Sequence, residues 1–431
     1  MNHQQTIETK STDHYDVLVC GGGTAGSIAA IQAARAGAKT ILIESGSQLG
    51  GTITTGGVSF PGLFHAHGRQ IIRGIGWELI EAAVQLNDDH LQDFTKPYQH
   101  HPEHQIHVNP YIYALLCEEK CLEAGVHIRY YETPVNAMFD GTQWIVDVSG
   151  KGTSSRLFCH QLIDCTGNAL LAQIAAYDVF HSEPCQPGSV MFKLAGYDIS
   201  TLNMTLIRSE YQKALEDGVI SQSMFYHDIA TLLRISHHSS KAALAANHIH
   251  GADSTTSITH TAANLNGRHS LLRLLRFLRT FPGLEHTTLY SMAAETSIRE
   301  TYRIHGLHVI TADEYVNAIR YEDGICYAFY PLDLHDENGI RPEPLESGRV
   351  PSIPLRALIP DNSHHFLVAG RCVSSDQMAN SALRVAAPCM AMGQAAGATA
   401  ALASRHGINP LDIPIREIHS LLRQHDAILP V

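Results

Sequence analysis

The sequence predicts an α/β fold, in which a parallel sheet carrying a β-meander insert is joined to a second, mixed α+β domain. Three observations lead there. An apolar run at 17–20 stops at Gly21, Gly22 and Gly23 and restarts as an alanine-rich helix. A second apolar run, 39–43, ends on Glu44, and from 126 to 163 the pattern turns to alternating strands with tight turns. At 431 residues, and roughly 150 residues per domain, two or three domains are expected.

Taken in order, the run at 17–20 is short and continuous, as a strand buried on both faces requires. Residues 24–36 form a helix with Gly37 in the position that a left-handed cap favours. With the strand at 39–43 they make a βαβ unit. Residues 46–62 hold six glycines and a proline without helical period, which reads as extended loop. Helical patterns return at 69–85 and 111–124, the second stopped by Gly125. The strands of 126–163 have turn signals at Asp140-Gly141 and at 150–152, and QLIDCT (161–166) is a buried strand closed by Gly167. Residues 188–339 are mixed in pattern. Within them the helix 268–280 spaces Arg273, Arg276 and Arg279 on one face and leucines on the other, which reads as a surface helix with its arginines on the wet side, peripheral membrane contact being the lesser alternative. A strand at 365–370 precedes the helix 387–404, where Pro388 fits only the first turn. Gly393, Ala396, Gly397 and Ala400 let that helix pack close to a sheet or a ligand, and one short helix remains at 415–425.

Composition narrows the function. Thirty basic against 42 acidic residues give a formal charge of −12, so no nucleic-acid partner is expected. Nine scattered cysteines without a CxxC pair fit reduced cytosolic thiols, not disulfide-based redox chemistry. The first 14 residues are polar and no run of about 18 apolar residues occurs, which predicts a disordered tail on a cytoplasmic protein without a membrane partner. Histidine is abundant, 28 residues, with clusters at His65/His67, His101/His104/His107, His237/His238 and His364/His365. His101, His104 and His107 recur every third residue, but Pro102 and the strand-like VNPYIY that follows leave no single face to gather their rings, and no metal is expected.

Gly21, Gly23 and Gly26 satisfy G-x-G-x-x-G between a strand and a helix, and Glu44 ends the next strand about 18 residues later. Gly21 makes the turn, Gly23 lets the backbone reach a pyrophosphate, and Gly26 lets helix and strand touch. The helix N-terminus favours the anion. Glu44 accepts from ribose hydroxyls and would repel a 2′-phosphate. The visitor is therefore an ADP moiety in a Rossmann-like domain, and the motif leaves NAD and FAD both open.

The stretch DVLVCGGGTAGSIAAIQAARAGAKTILIE, the pair Gly50-Gly51, IDCTGNALLA and HFLVAGR with GQAAGATAAL resemble the glutathione-reductase-type flavoproteins with two dinucleotide-binding domains. Within them the chain is most similar to the FAD-dependent oxidoreductases. The resemblance implies FAD and a discontinuous FAD-binding domain, 15–187 and 340–408, with a substrate domain at 188–339 and a helical tail at 409–431. It implies that Gly21, Gly23, Thr24, Ala25, Gly26, Glu44 and Ser45 hold the ADP half, with the Val135 backbone beside adenine and Gly167 closing over the nucleotide. Gly50, Gly51 and Thr52 would run along the pyrophosphate and flavin. Arg371, Ser381, Arg384 and Val385 would line the ribityl chain and the pyrimidine edge. Arg371 stands where much of the wider superfamily has an acid, and Cys165 where a small residue is usual.

Flavin chemistry then predicts an enzyme that moves a hydride from a small organic substrate, at a CH–OH or CH–CH centre, to flavin N5. An amine or imine oxidase and an electron-transfer subunit are the alternatives; no cysteine cluster exists to hold an iron–sulfur relay. The helix starting near Ala387 is expected to stabilise the reduced flavin. For catalysis the candidates are His65 and His67, which an extended segment would put on one side, and Arg299 as an anchor for a carboxylate or oxyanion. Arg299 is equally spaced to pair with Glu295 one helical turn back. A small-molecule substrate is the expected partner, with homo-oligomer formation left open.

Overall fold

A computed structural model describes residues 12–96, 101–220, 228–238, 245–336, 339–340 and 342–430. Its centre is a seven-stranded sheet. His127–Tyr130, Thr40–Glu44, Thr12–Cys20 and Thr153–Asp164 lie side by side in parallel, and Trp144–Gly150 and Glu132–Phe139 continue antiparallel as the meander. The strand Thr153–Asp164 is long enough to serve two partners on its far edge. Its first half pairs the meander and its last residues, Leu162 to Asp164, pair Phe366–Val368 in parallel. The fold is thus the Rossmann-like α/β class with its meander insert.

The first strand begins at Thr12, inside the expected tail of 1–14. Its polar residues pair through the backbone with Arg156 to Cys159, so the ladder decides there and apolar pattern does not. Residues 1–11 lie outside the described set. The helix expected at 69–85 is Ile75–Leu86. Arg69–Gln70 instead pairs with His65–Ala66, and Gly74 at φ 93° gives the chain the left-handed step that delays the helix. The helix expected at 268–280 runs Ser257–Leu278, started by a capping box between Thr256 and Thr259 in a polar stretch where periodicity was silent. Arg273 and Arg276 face water.

The first helix, Thr24–Arg35, packs against Ala386–His406 backbone to backbone. A Cβ added at Gly393 or Gly397 would collide with the carbonyl oxygens of Ala25 and Ala29. The small-residue stripe therefore serves helix-to-helix contact. The large core runs through these helices and also takes Ile310, Tyr315, Ile325, Leu332, Ile353 and Ile359. A second core, from Val190 to Ile298, lies under the three-stranded sheet Ala245–Ile249, Gly188–Ala195 and Thr288–Met292. Grouping 188–339 by pattern thus joined two packing units, because apolar spacing does not say which core a residue enters. Ile413, Ile418 and Leu422 of the C-terminal segment belong to the large core. No single helix among the described residues is long and apolar enough to cross a membrane.

Candidate functional site

Four parallel strands deliver their carboxyl ends to one edge of the sheet, the place where open α/β sheets bind ligands. Gly21 follows Cys20, Glu44 closes its own strand, Gly167 comes three residues after Asp164, and Arg371 three after Val368. Gly21 has φ 94°, and a Cβ there would strike the Cys165 backbone. At Gly26 a Cβ would strike the Gly21 carbonyl oxygen, so this residue sets the helix-to-strand distance. Gly23 differs: a Cβ would meet only Gly51 Cα, at 3.9 Å. The helix that starts here has no side-chain cap and no acid in its first turn. Glu44 accepts from Gly22 N–H at 2.7 Å and Gly46 N–H at 2.5 Å, and exposed Ser45 donates its hydroxyl to it at 3.3 Å. Burial raises its carboxyl above the usual value, against those bonds.

Around this cradle, Gly50 N–H donates to Gly22 O at 2.9 Å and Thr24 Oγ1 to Gly50 O at 3.3 Å, which locks the second glycine loop onto the first. Thr52 is exposed on that loop. Val135, 56% exposed, sits at a bulge in the last meander strand. Arg371 does not reach into open space. Its guanidinium donates to Gly167 O at 2.8 Å, Asn168 Oδ1 at 2.6 Å and Ile298 O at 2.5 Å, so it ties the sheet edge to the end of the second core. The resemblance implied a ribityl contact, but these oxygens hold three of its donors.

A second group of side chains lies where the two cores meet. His335 Nε2 is 3.1 Å from Asp333 Oδ2, and a carboxylate only accepts, so the imidazole proton is on Nε2 and Nδ1 is the acceptor nitrogen. Arg384 Nη2 stands 3.7 Å from the same carboxylate. The His335 ring lies 5.3 Å from that of His248, whose Nδ1 is 3.0 Å from Ser189 Oγ. Arg299 Nη1 donates to Ser189 Oγ at 3.0 Å and to the Pro187 carbonyl. Burial works to raise the Asp333 carboxyl, but the His335 bond and the Arg384 and Arg299 charges prevail and hold it at about 2. Burial, then the Arg299 charge, pushes His335 down to about 3 against the pull of Asp333. At neutral pH the pair is a carboxylate and a neutral imidazole. Ser381 Oγ accepts from Asp333 N–H at 2.9 Å and fixes this segment to the helix Gln377–Leu383. Val385 is the N-cap of Ala386–His406, one residue earlier than expected, and Ala387 N–H is taken by Pro61 O at 2.7 Å.

A family model described as FAD dependent oxidoreductase matches residues 16–422. The chain belongs to the FAD-dependent oxidoreductase family. Over 57 residues it is 47% identical to a soluble pyridine nucleotide transhydrogenase of a Marinomonas species, a match covering 13% of this chain and 12% of that protein's length. Two solved structures are similar in fold. One is a geranylgeranyl bacteriochlorophyll reductase-like protein from Thermoplasma acidophilum (12% identity, 96% of this chain and 84% of that one, TM-score 0.46). The other is p-nitrophenol 4-monooxygenase from Pseudomonas putida (13% identity, 96% and 87%, TM-score 0.43). Likeness at this level concerns fold and assigns no reaction.

FAD is the cofactor of this oxidoreductase family, and the cradle fits it. The space over Gly23 and the uncapped helix end would take the pyrophosphate, and Glu44 the ribose.

The histidine expectations need correction. His65 and His67 do not share a side, because His67 adopts φ 50° and breaks the alternation. His65 stacks on Phe94 at 4.1 Å and packs on Trp77; His67 is exposed, beside Phe329 and the Arg349 carbonyl. No hydrogen bond or ring contact among the described residues joins either to Arg299. Arg299 does not pair with Glu295 on a helix, since residues 299–302 are not helical. Sequence reasoning missed Asp333, His335, His248 and Ser189. The signal available was Asp333-x-His335, the same i, i+2 spacing that drew attention to His65 and His67. Among the described residues no group of three or more His, Cys, Asp and Glu side chains is placed to hold a metal ion.

Proposed function

We propose that this FAD-dependent oxidoreductase is a dehydrogenase of small organic molecules, acting at a CH–OH or CH–CH centre, with its cofactor laid out as in the glutathione-reductase-type flavoproteins. The observation that carries the reading is the Asp333–His335 pair, held at 3.1 Å, with the Arg384 side chain, which precedes the helix Ala386–His406, 3.7 Å from the same carboxylate. When bound, FAD supplies the two-electron acceptor. Asp333 holds the imidazole in one tautomer and orientation, and His335 Nδ1 takes the substrate's departing proton. Arg299 and Arg384 position the substrate, and the second core, from Val190 to Ile298, covers it and keeps water out.

Anaerobic mixing of the purified holoenzyme with hydroxy acids, polyols, enoates and amines tests this. Bleaching of the oxidised flavin by an alcohol or a saturated acid supports the proposal. Bleaching by amines alone makes the enzyme an amine oxidase, and no bleaching by any small molecule makes the chain an electron carrier for a partner.

A further inference from the structure

Arg299 and Arg384 face one site with most of their donors unspent. Among the described residues Arg299 is hydrogen-bonded through Nη1 only, to Pro187 O and Ser189 Oγ. Among the described residues Arg384 is bonded through Nη2 only, to Gln186 Oε1 at 3.4 Å and Asp333 O at 3.3 Å, both long, and its buried Nε has no partner there. The two charges are close enough that burial and Arg384 together press the Arg299 guanidinium down to about 9.

The surrounding groups do not balance them. Among the described residues Asp333 is the carboxylate that bears on both arginines. Glu300, next to Arg299 in sequence, is held elsewhere by Gln186 N–H at 2.7 Å, Gln377 Nε2 at 2.7 Å and Arg303 at 3.5 Å. Arg371 is held by oxygens that carry no charge, and Lys193 donates to Ile235 O at 3.0 Å. Burial keeps His248 and His335 neutral. Two guanidiniums therefore face one carboxylate in a half-buried site, and an uncompensated charge there is costly until an anion arrives.

We infer that Arg299 and Arg384 together bind a carboxylate group of the substrate, so that the enzyme selects small organic monoacids. A single negative charge closes the balance; planar guanidiniums offer paired N–H donors to the two oxygens of a carboxylate. The inference rests on the proposed function only for the statement that the bound acid is also the reductant. Next to His335, a 2-hydroxy acid would give its hydroxyl proton to Nδ1 and its C–H hydrogen with two electrons to oxidised FAD, becoming the 2-oxo acid.

The test is equilibrium binding to the FAD holoenzyme, followed by calorimetry and by the shift in the flavin visible spectrum. The probes are acetate and 2-methylpropanoate against acetamide and 2-methylpropanamide. The acids should bind at least about tenfold tighter than the amides. Arg299→Met and Arg384→Met should each lose about tenfold for the acids and nothing for the amides, and Arg299→Lys should restore part of the loss. Equal binding of acid and amide by the unmodified enzyme overturns the inference, whatever the variants do. So does an Arg384→Met that shifts only the flavin potential beside an Arg299→Met that binds acids normally, because the arginines then serve the cofactor. Acid binding without bleaching by any 2-hydroxy acid refutes the proposed reaction and leaves the anion site standing.

Discussion

His335 Nε2 lies 3.1 Å from Asp333 Oδ2 on one extended segment, and that contact decides which ring nitrogen can accept a proton. Asp333→Asn keeps the shape but offers an amide that can donate to the ring and reverse the tautomer. Flavin reduction should fall by about 10²–10³-fold while FAD content is unchanged. Because His335 is held at about 3, the unmodified enzyme should show no loss of reduction rate between about pH 7 and 5. An acid limb at the ordinary imidazole value would remove His335 from the role.

His65 is a structural histidine with a measurable pH signature. Burial, helped by nearby His104, holds its imidazole at about 4, against 6.5 for an unperturbed one. Between those values the unfolded chain binds a proton that the folded chain does not. The stability His65 contributes is thus whole above about pH 6.5 and is lost as pH falls toward 4. His65→Phe should flatten that part of the urea-midpoint curve and leave flavin reduction within about twofold of normal. A large loss of reduction with an unchanged curve would return His65 to the active site.

Two glycines of one motif should fail in different ways. Gly23→Ala places its methyl in the gap over the helix end, so the apoprotein should keep its melting temperature and lose FAD affinity by about 10–100-fold. Gly26→Ala drives the methyl into the Gly21 carbonyl, so the apoprotein itself should lose about 1–3 kcal/mol. Denaturation of both apoproteins, with fluorimetric FAD titration, separates the two; equal destabilisation would mean that Gly23 is packed rather than open.

The start of Ala386–His406, which has no side-chain cap, gives a further handle. Ala386→Glu puts a negative charge in its first turn, which should disfavour the reduced flavin by about 0.3–2 kcal/mol, or about 6–40 mV for a two-electron couple. Spectroelectrochemistry reads this directly. An unchanged potential would place the flavin away from this helix end.

Local spacing alone was enough for the nucleotide end of the molecule. Gly21, Gly23, Gly26 and Glu44 lie within one βαβ unit, where a turn, an uncapped helix and the next strand end are joined by short-range geometry. The same holds for the meander, whose turn is written in Asp140-Gly141, with Asp140 Oδ1 accepting from Thr142 N–H at 2.8 Å. The chemistry end was not readable in this way. Ser189, His248, Arg299, Asp333 and Arg384 are far apart in the chain and meet only where two cores press together. Which of 28 histidines stands beside a carboxylate, and whether an arginine is spent on carbonyls like Arg371 or left with open donors like Arg384, follows from long-range packing and the desolvation it imposes. No periodicity records those, because a side chain's partners across a domain boundary leave no mark on its neighbours in sequence.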